Sequence, residues 1–243
     1  MALRQVKDTP TNNFATLNPL EIYLNDGTLS NGNLTGISTT GGTARFISSI
    51  RPSSGKYYCE FYLVDSARFC VGIENTKTAK SSQGGNDVNS LIMFATGASY
   101  YNSTSYATYR SSSLSNGNIV GVLLDLDSRD ISILVDDENA GSLNDHSNVD
   151  KDILFQGDMG IFFEDNSGSG ITSAIANFGQ DPTFSGNKTD GANLPDANGF
   201  GSFYYQPPDG ALALCSRNIQ SVEQDGSYVQ NYVSAKGNFR AVT

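Results

Sequence analysis

The chain has 243 residues, enough for one large β domain or two small ones, and its 38% hydrophobic content is low but sufficient for one core. Its 15 Lys and Arg against 25 Asp and Glu give a net charge of −10, which argues against binding to nucleic acid or to an anionic membrane surface. No run approaches the roughly 18 apolar residues of a membrane span, and Met1–Pro10 lacks the apolar stretch of a secretory signal.

Taken in chain order, residues 1–13 are polar and patternless and predict an N-terminal arm. Phe14–Leu20 is a short apolar segment interrupted by Pro19. Turns at 31–36 and 39–43 flank a short strand, and Ala44–Ile50 predicts another. Lys56–Val64 predicts an aromatic-rich strand with Tyr57, Cys59, Phe61 and Leu63 on the core face and Tyr58, Glu60, Tyr62 and Val64 on the other. Arg68–Ile73 is expected to be its hairpin partner, which would set Cys59 and Cys70 on neighbouring strands. With Cys215 these are the only cysteines, too few for a disulfide framework, and buried free thiols are expected.

Residues 74–89 are polar and predict a long surface loop. Ser90–Ala95 predicts a strand, and 98–110 a hairpin with a tyrosine-rich exposed face of Tyr100, Tyr101, Tyr106 and Tyr109. The clearest local signal is 118–135. Val120, Val122, Leu124 and Leu126 alternate, Asp127–Asp130 supplies a turn, and Ile131, Ile133 and Val135 resume the alternation. This predicts a hairpin with one apolar face that a second sheet must cover. Gly121 within it suggests close backbone approach or a bend. Residues 136–151 predict an acidic loop holding the single histidine, His146, and strands follow at 153–155, 159–164 and 171–178. No segment holds a helical period over ten residues. The pattern is all-β: an antiparallel two-sheet sandwich spanning 14–219, with an arm at 1–13 and a tail at 220–243.

Several stretches together resemble the SPRY domain in the form found in structural proteins of tailed bacteriophages. Ser54-Gly55-Lys56-Tyr57-Tyr58-Cys59-Glu60-Phe61 resembles the family's Gly-Lys-aromatic strand, and Val71-Gly72-Ile73 its Val-Gly-Ile strand. Residues 117–127 resemble its central hairpin, and Asn177-Phe178-Gly179-Gln180 its closing motif. At the flanks, Phe14-Ala15-Thr16-Leu17-Asn18-Pro19 and Tyr205–Ile219, with its Pro207-Pro208-Asp209-Gly210, resemble the phage-specific opening and closing motifs. The departures are Tyr57 and Cys59 where the family carries tryptophan, and Asp136-Asp137-Glu138-Asn139-Ala140-Gly141 where it turns on Asn-Gly. The resemblance implies a concanavalin-like, jelly-roll sandwich used for recognition or assembly rather than catalysis.

The residues carry little chemistry. Asp125, Asp127 and Asp130 invite a calcium reading, but the loop lacks the glycine and the closing Glu of a calcium loop. No Glu-x-Asp-x-Glu strand for glycoside hydrolysis is present, no Gly-x-Ser-x-Gly elbow, no phosphate loop and no zinc spacing. No catalytic residue, metal or cofactor is therefore expected. Tyr100, Tyr101, Tyr106 and Tyr109 are the candidate binding residues, since tyrosine offers stiff amphipathic contact area, against the plainer alternative of cross-strand pairing. Tyr228, Tyr232 and Phe239 are candidate assembly residues, against the alternative of a frayed tail. The expected function is that of a non-enzymatic virion structural protein, a tail-fibre, appendage or head-fibre subunit. Its expected partners are other virion proteins and further copies of itself. Capsid decoration and recognition of a host surface glycan are the alternatives.

Overall fold

The structure is a computed structural model that describes residues 12–23, 27–39, 43–78, 83–108, 113–142, 148–166, 170–189 and 193–222. At its centre lies the expected hairpin. Strands β10 (Ile119–Asp125) and β11 (Asp130–Val135) pair antiparallel, with Val122 opposite Ile133 and Asp125 opposite Asp130. Val120, Val122, Leu124, Ile131, Ile133 and Val135 all enter one core, so the period of two in the sequence is the period of burial. Gly121 lies under the Tyr58 ring: a Cβ there would sit 2.7 Å from the phenol oxygen. The glycine is required by close approach, as its place in an apolar run suggests.

Two sheets enclose the core. The eight-stranded sheet is ordered β12 (Glu138–Ser142), β11, β10, β5 (Lys56–Asp65), β14 (Ser173–Asn177), β3 (Thr35–Ser38) and β2 (Gly27–Ser30), with the short β15 (Leu212–Ala213) parallel to β5 beyond the end of β14. The seven-stranded sheet runs β1 (Leu17–Tyr23), β4 (Arg45–Ser48), β13 (Met159–Asp165), β6 (Phe69–Asn75), β7 (Ser90–Phe94), β8 (Ala98–Tyr101) and β9 (Thr104–Thr108). Tyr57, Cys59, Phe61 and Leu63 face inward from β5, as the alternation predicts. Phe163 joins the two layers, its ring 4.9 Å from Phe46, 5.6 Å from Phe61 and 5.8 Å from Phe69. Offset and edge contacts of this kind add to the area the rings bury.

Four expectations are corrected. The strand expected at 153–155 is instead a single helical turn, Lys151–Leu154, capped by the Asp150 side chain, which accepts from the Ile153 amide. β6 is not the hairpin partner of β5; the chain turns at Ser66–Phe69 and crosses to the other sheet. Both sides of β5 are taken by β10 and by β14 with β15, so β6 instead pairs with β13 and β7. Cys59 consequently lies in the central core while Cys70 faces outward from the other sheet, and both are free thiols. Part of the acidic stretch is strand rather than loop. Asp136 and Asp137 hold φ of 50° and 70° between the paired Val135 and Glu138, a two-residue hairpin turn of the primed type, and β12 follows. Residues 74–89 are not wholly a surface loop either. Glu74 and Asn75 complete β6, and Gly84 and Gly85 are buried over the outer face of the seven-stranded sheet beside Ile92 and Phe162.

Candidate functional site

The predicted tyrosine face does not form as one surface. Tyr100 and Tyr101 are adjacent on β8 and so point to opposite sides of the sheet. Tyr101 is a core residue, 2% exposed, its hydroxyl 3.4 Å from the Asp150 carbonyl. Tyr100 is half-buried on the outer face, edge-on to Phe94 at 4.7 Å. The side chain of Tyr106, and Tyr109, Tyr228, Tyr232 and Phe239 entirely, lie outside the described residues. The aspartates of the central hairpin hold its turn and tie it to its neighbours. Asp125 accepts from the Ser128 amide at 2.9 Å, Asp127 from the Gly55 amide at 2.9 Å, and Asp130 from the Ser142 hydroxyl at 2.6 Å. Among the described residues no group of three His, Cys, Asp or Glu side chains is placed to hold a metal.

A charged cluster outside the predicted sites lies on the outer face of the seven-stranded sheet. Alternation sends Phe46 inward and Arg45 outward from β4, Glu164 outward from β13 and Glu74 outward from β6. The fully buried Arg45 donates through Nε to Glu164 and through Nη1 to Glu74, each at 2.7 Å. The Phe162 ring lies 4.7 Å from its guanidinium carbon. The Gly84 amide donates to both oxygens of Glu164 at 3.0 and 3.1 Å. Burial pushes both carboxyls above the ordinary carboxylate value against the pull of Arg45. Burial likewise opposes the charge on Arg45, but Glu164 and Glu74 outweigh it and hold its pKa above the ordinary guanidinium value.

From this buried cluster the charges lead outward to a cleft. Arg51 Nη2 donates to Glu21 at 2.8 Å and to the Tyr23 hydroxyl at 3.2 Å, and lies 3.6 Å from Glu74 Oε1. That Glu74 oxygen is buried and accepts no hydrogen bond. The cleft, about 580 Å³ and open to solvent, is lined by Asn18, Leu20, Glu21 and Tyr23 from β1, by Ser49 and Arg51 after β4, and by Thr76 and Asp158. Its wall is a bulge. Leu17 pairs with Ser48 and Ile22 with Phe46, so β1 spends five steps where β4 spends two. Asn18 locks the bulge, accepting from the Leu20 amide and donating to Glu21, both at 3.0 Å. Pro19 is tolerated because β1 is an edge strand. The bulge carries Leu20 into solvent, 91% exposed, at the cleft rim. An apolar knob beside a guanidinium, two carboxylates and small hydroxyls suits the binding of a polypeptide segment. The sequence did hold a signal, since Arg45, Glu74 and Glu164 are charged residues on short strands that are otherwise mostly apolar.

The outer face of the eight-stranded sheet is covered by the C-terminal flank. Glu60, fully buried on β5, accepts from the Tyr204 and Tyr205 amides at 3.0 and 2.9 Å, from Asn177 at 3.1 Å and from the Tyr58 hydroxyl at 3.3 Å. Burial outweighs these four donors and raises its carboxyl to about 7. Asp196 gathers the same flank, accepting from the Phe200 amide at 2.7 Å, the Asn198 amide at 2.9 Å, the Ala213 amide at 2.8 Å and Asn218 at 2.6 Å. The N-terminal flank joins it there. The Ala15 amide donates to the Leu214 carbonyl at 2.8 Å, Phe14 bridges Cys215, and the Asn13 amide meets the Ser216 hydroxyl at 3.0 Å. Gln180, from the closing motif, donates to the Ala15 carbonyl.

Two layers in this strand order, with a bulged edge and a covered outer face, can be set against known structures. The SPRY domain of human HERC1 is 20% identical and superposes with a TM-score of 0.50 over 66% of this chain and 96% of that one. The PSpry domain of TRIM65 is 14% identical, with a TM-score of 0.50 over 67% of this chain and 89% of that one. The fold is that of a SPRY domain. At these identities the likeness concerns the fold alone. No family model matches the sequence, and no curated protein does. The superposed part is about two-thirds of the chain.

Proposed function

We propose that the protein is a non-enzymatic structural subunit of a tailed-bacteriophage particle, a tail-fibre, appendage or head-fibre component that binds other virion proteins through its SPRY-type domain and self-associates. The observation that carries this reading is the junction of the two flanks. The opening segment at 14–19 and the closing segment at 205–219, the two stretches that resemble phage structural proteins, are bonded to each other through Ala15 and Leu214 and through Phe14 and Cys215. The first of them runs on into the wall of the cleft, where Leu20 and Arg51 offer a contact for a neighbouring polypeptide. The interior carboxylates support a non-catalytic role, because Glu60, Glu164 and Asp196 are occupied with amides and amide side chains that hold the fold.

Quantitative mass spectrometry of particles purified from the virus that encodes the chain tests the proposal, with the major capsid protein as the standard. A fibre or appendage subunit is expected at tens of copies or fewer. Hundreds of copies would move the protein to the capsid surface as a decoration protein, and complete absence from the particle would overturn the reading.

A further inference from the structure

Away from the cleft, on the outer face of the eight-stranded sheet, aromatic rings from β5 and from the C-terminal flank gather around a cation. Phe184 is the floor, fully buried and stacked on Tyr62 with ring centres 5.7 Å apart and planes at 28°. It is held in a strained turn. Phe184 and Ser185 have φ of 49° and 59°, and Asp181 accepts from the Thr183 and Ser185 amides at 2.9 and 2.8 Å. Non-glycine residues keep such angles only where the surroundings enforce them. Tyr204 leans on Phe184 at 6.3 Å, and Tyr205 stands edge-on to Tyr204 at 4.9 Å and 86°. Both tyrosines are pinned at their amides by Glu60, so the rings are positioned from inside the sheet.

Tyr62, Tyr204 and Tyr205 are each half-buried and keep part of their rings in contact with water. Two of the rings converge on one point, where the Lys188 ammonium sits 5.5 Å from the centre of Tyr62 and 5.8 Å from that of Tyr204. Both distances fall within the roughly 6 Å over which a ring quadrupole attracts a cation. Burial is the main cause that raises the Tyr205 phenol to about 12, and the nearby Asp136 and Asp137 carboxylates, which add to the rise, also attract a cation. Lysine suits such a position poorly. Its ammonium is compact and strongly hydrated, and a half-exposed contact returns little for the water and rotamer freedom it gives up. A quaternary ammonium carries the same charge with far weaker hydration, and aromatic faces are the surfaces that recognise it.

We propose that Tyr62, Tyr204 and Tyr205 form a binding site for a quaternary ammonium group, with Lys188 as the built-in occupant that the ligand displaces. The site is separate from the cleft and does not depend on membership of a virus particle.

The test is calorimetric titration of the whole chain with choline chloride, with sodium chloride holding ionic strength constant. Saturable binding is expected, with none for the neutral isostere 3,3-dimethylbutan-1-ol. Lys188→Ala is the decisive variant, because it removes the competitor and leaves the rings in place. It should tighten choline binding about two- to fivefold, the scale of an exposed cation–π contact. Tyr204→Ala should abolish binding. Co-sedimentation with phosphatidylcholine vesicles that choline competes away would identify a lipid headgroup as the source. Choline binding without it would identify a soluble or polymer-borne group, and both results uphold the site. The proposal is overturned if choline does not saturate, if the neutral isostere binds equally, or if Lys188→Ala leaves choline affinity unchanged or weaker.

Discussion

Glu60 sits where a carboxylate is costly, and its replacement by Gln isolates that cost through pH. Its folded pKa of about 7 lies above the ordinary 4.5, so the native state binds this proton more tightly than the unfolded chain does. The stabilising contribution is therefore fully present below about pH 4.5 and is lost as pH rises through 7. Between pH 5 and pH 8 the raised pKa corresponds to about 2–3 kcal/mol of stability lost from this one group. Gln cannot ionise, so the stability of Glu60→Gln relative to the parent should climb by that amount over the same interval.

The absolute offset between the two proteins will not be zero. The Gln amide nitrogen replaces an oxygen that accepts from a backbone amide, either that of Tyr204 or that of Tyr205. A lost bond of this kind leaves a buried donor unpaired at about 1–3 kcal/mol. That penalty is independent of pH, and the raised carboxyls of Glu74 and Glu164 are common to both proteins, so the difference in slope belongs to Glu60. Urea unfolding at half-unit steps from pH 5 to pH 8 measures it. Parallel stability profiles for parent and variant would refute the argument that desolvation outweighs the four donors.

Arg45→Met should destabilise the protein by about 3–5 kcal/mol, the cost of leaving buried carboxylates without their partner, and adding Glu74→Gln and Glu164→Gln should restore much of it in thermal unfolding. Gly121→Ala should cost about 1–3 kcal/mol, since its Cβ meets the Tyr58 ring and the site is overpacked; unchanged denaturant midpoints would mean that the ring has room to move. Leu20→Asp should leave the unfolding midpoint unchanged at its 91% exposed position but, under the proposed virion role, weaken capture of particle proteins in a pull-down from disassembled particles. Equal capture by parent and variant would remove the cleft rim from the interface.

The central layer was readable because period-two alternation reports burial directly. The hairpin of 119–135, the inward face of β5 and the close approach at Gly121 all follow from residue order. Sheet membership was not readable, for a physical reason. A turn such as Ser66–Phe69 can close a hairpin or pass the chain to the facing sheet, and the outcome depends on which strands claim the edges of β5 from far along the chain. Tyr101 was misplaced for a simpler reason: a run rich in tyrosine suggests a surface, but neighbours on a strand cannot share a face. The stretch at Asp136 stands where the resemblance puts an Asn-Gly turn, but that two residues suffice for it was not legible, because neither Asp136 nor Asp137 is the glycine that normally marks positive φ.

The candidate sites were hidden because both depend on outer faces, and a sandwich needs only its inner faces buried to fold. Here parts of the outer faces are buried as well, and at the heart of each buried part lies a carboxylate. Such groups cost more to desolvate than their partners commonly return, so stability does not account for their presence. Position does. Glu164 accepts from Gly84 and fixes the segment that crosses the seven-stranded sheet, while Arg45 links it to Glu74 and, through Arg51, to the cleft wall. Glu60 accepts from two successive amides and fixes the turn that presents Tyr204 and Tyr205. In each case a surface formed by irregular chain takes its geometry from a strand beneath it. The cleft and the tyrosine site are thereby held by the sheets, although neither is built on the core face that the sequence advertises.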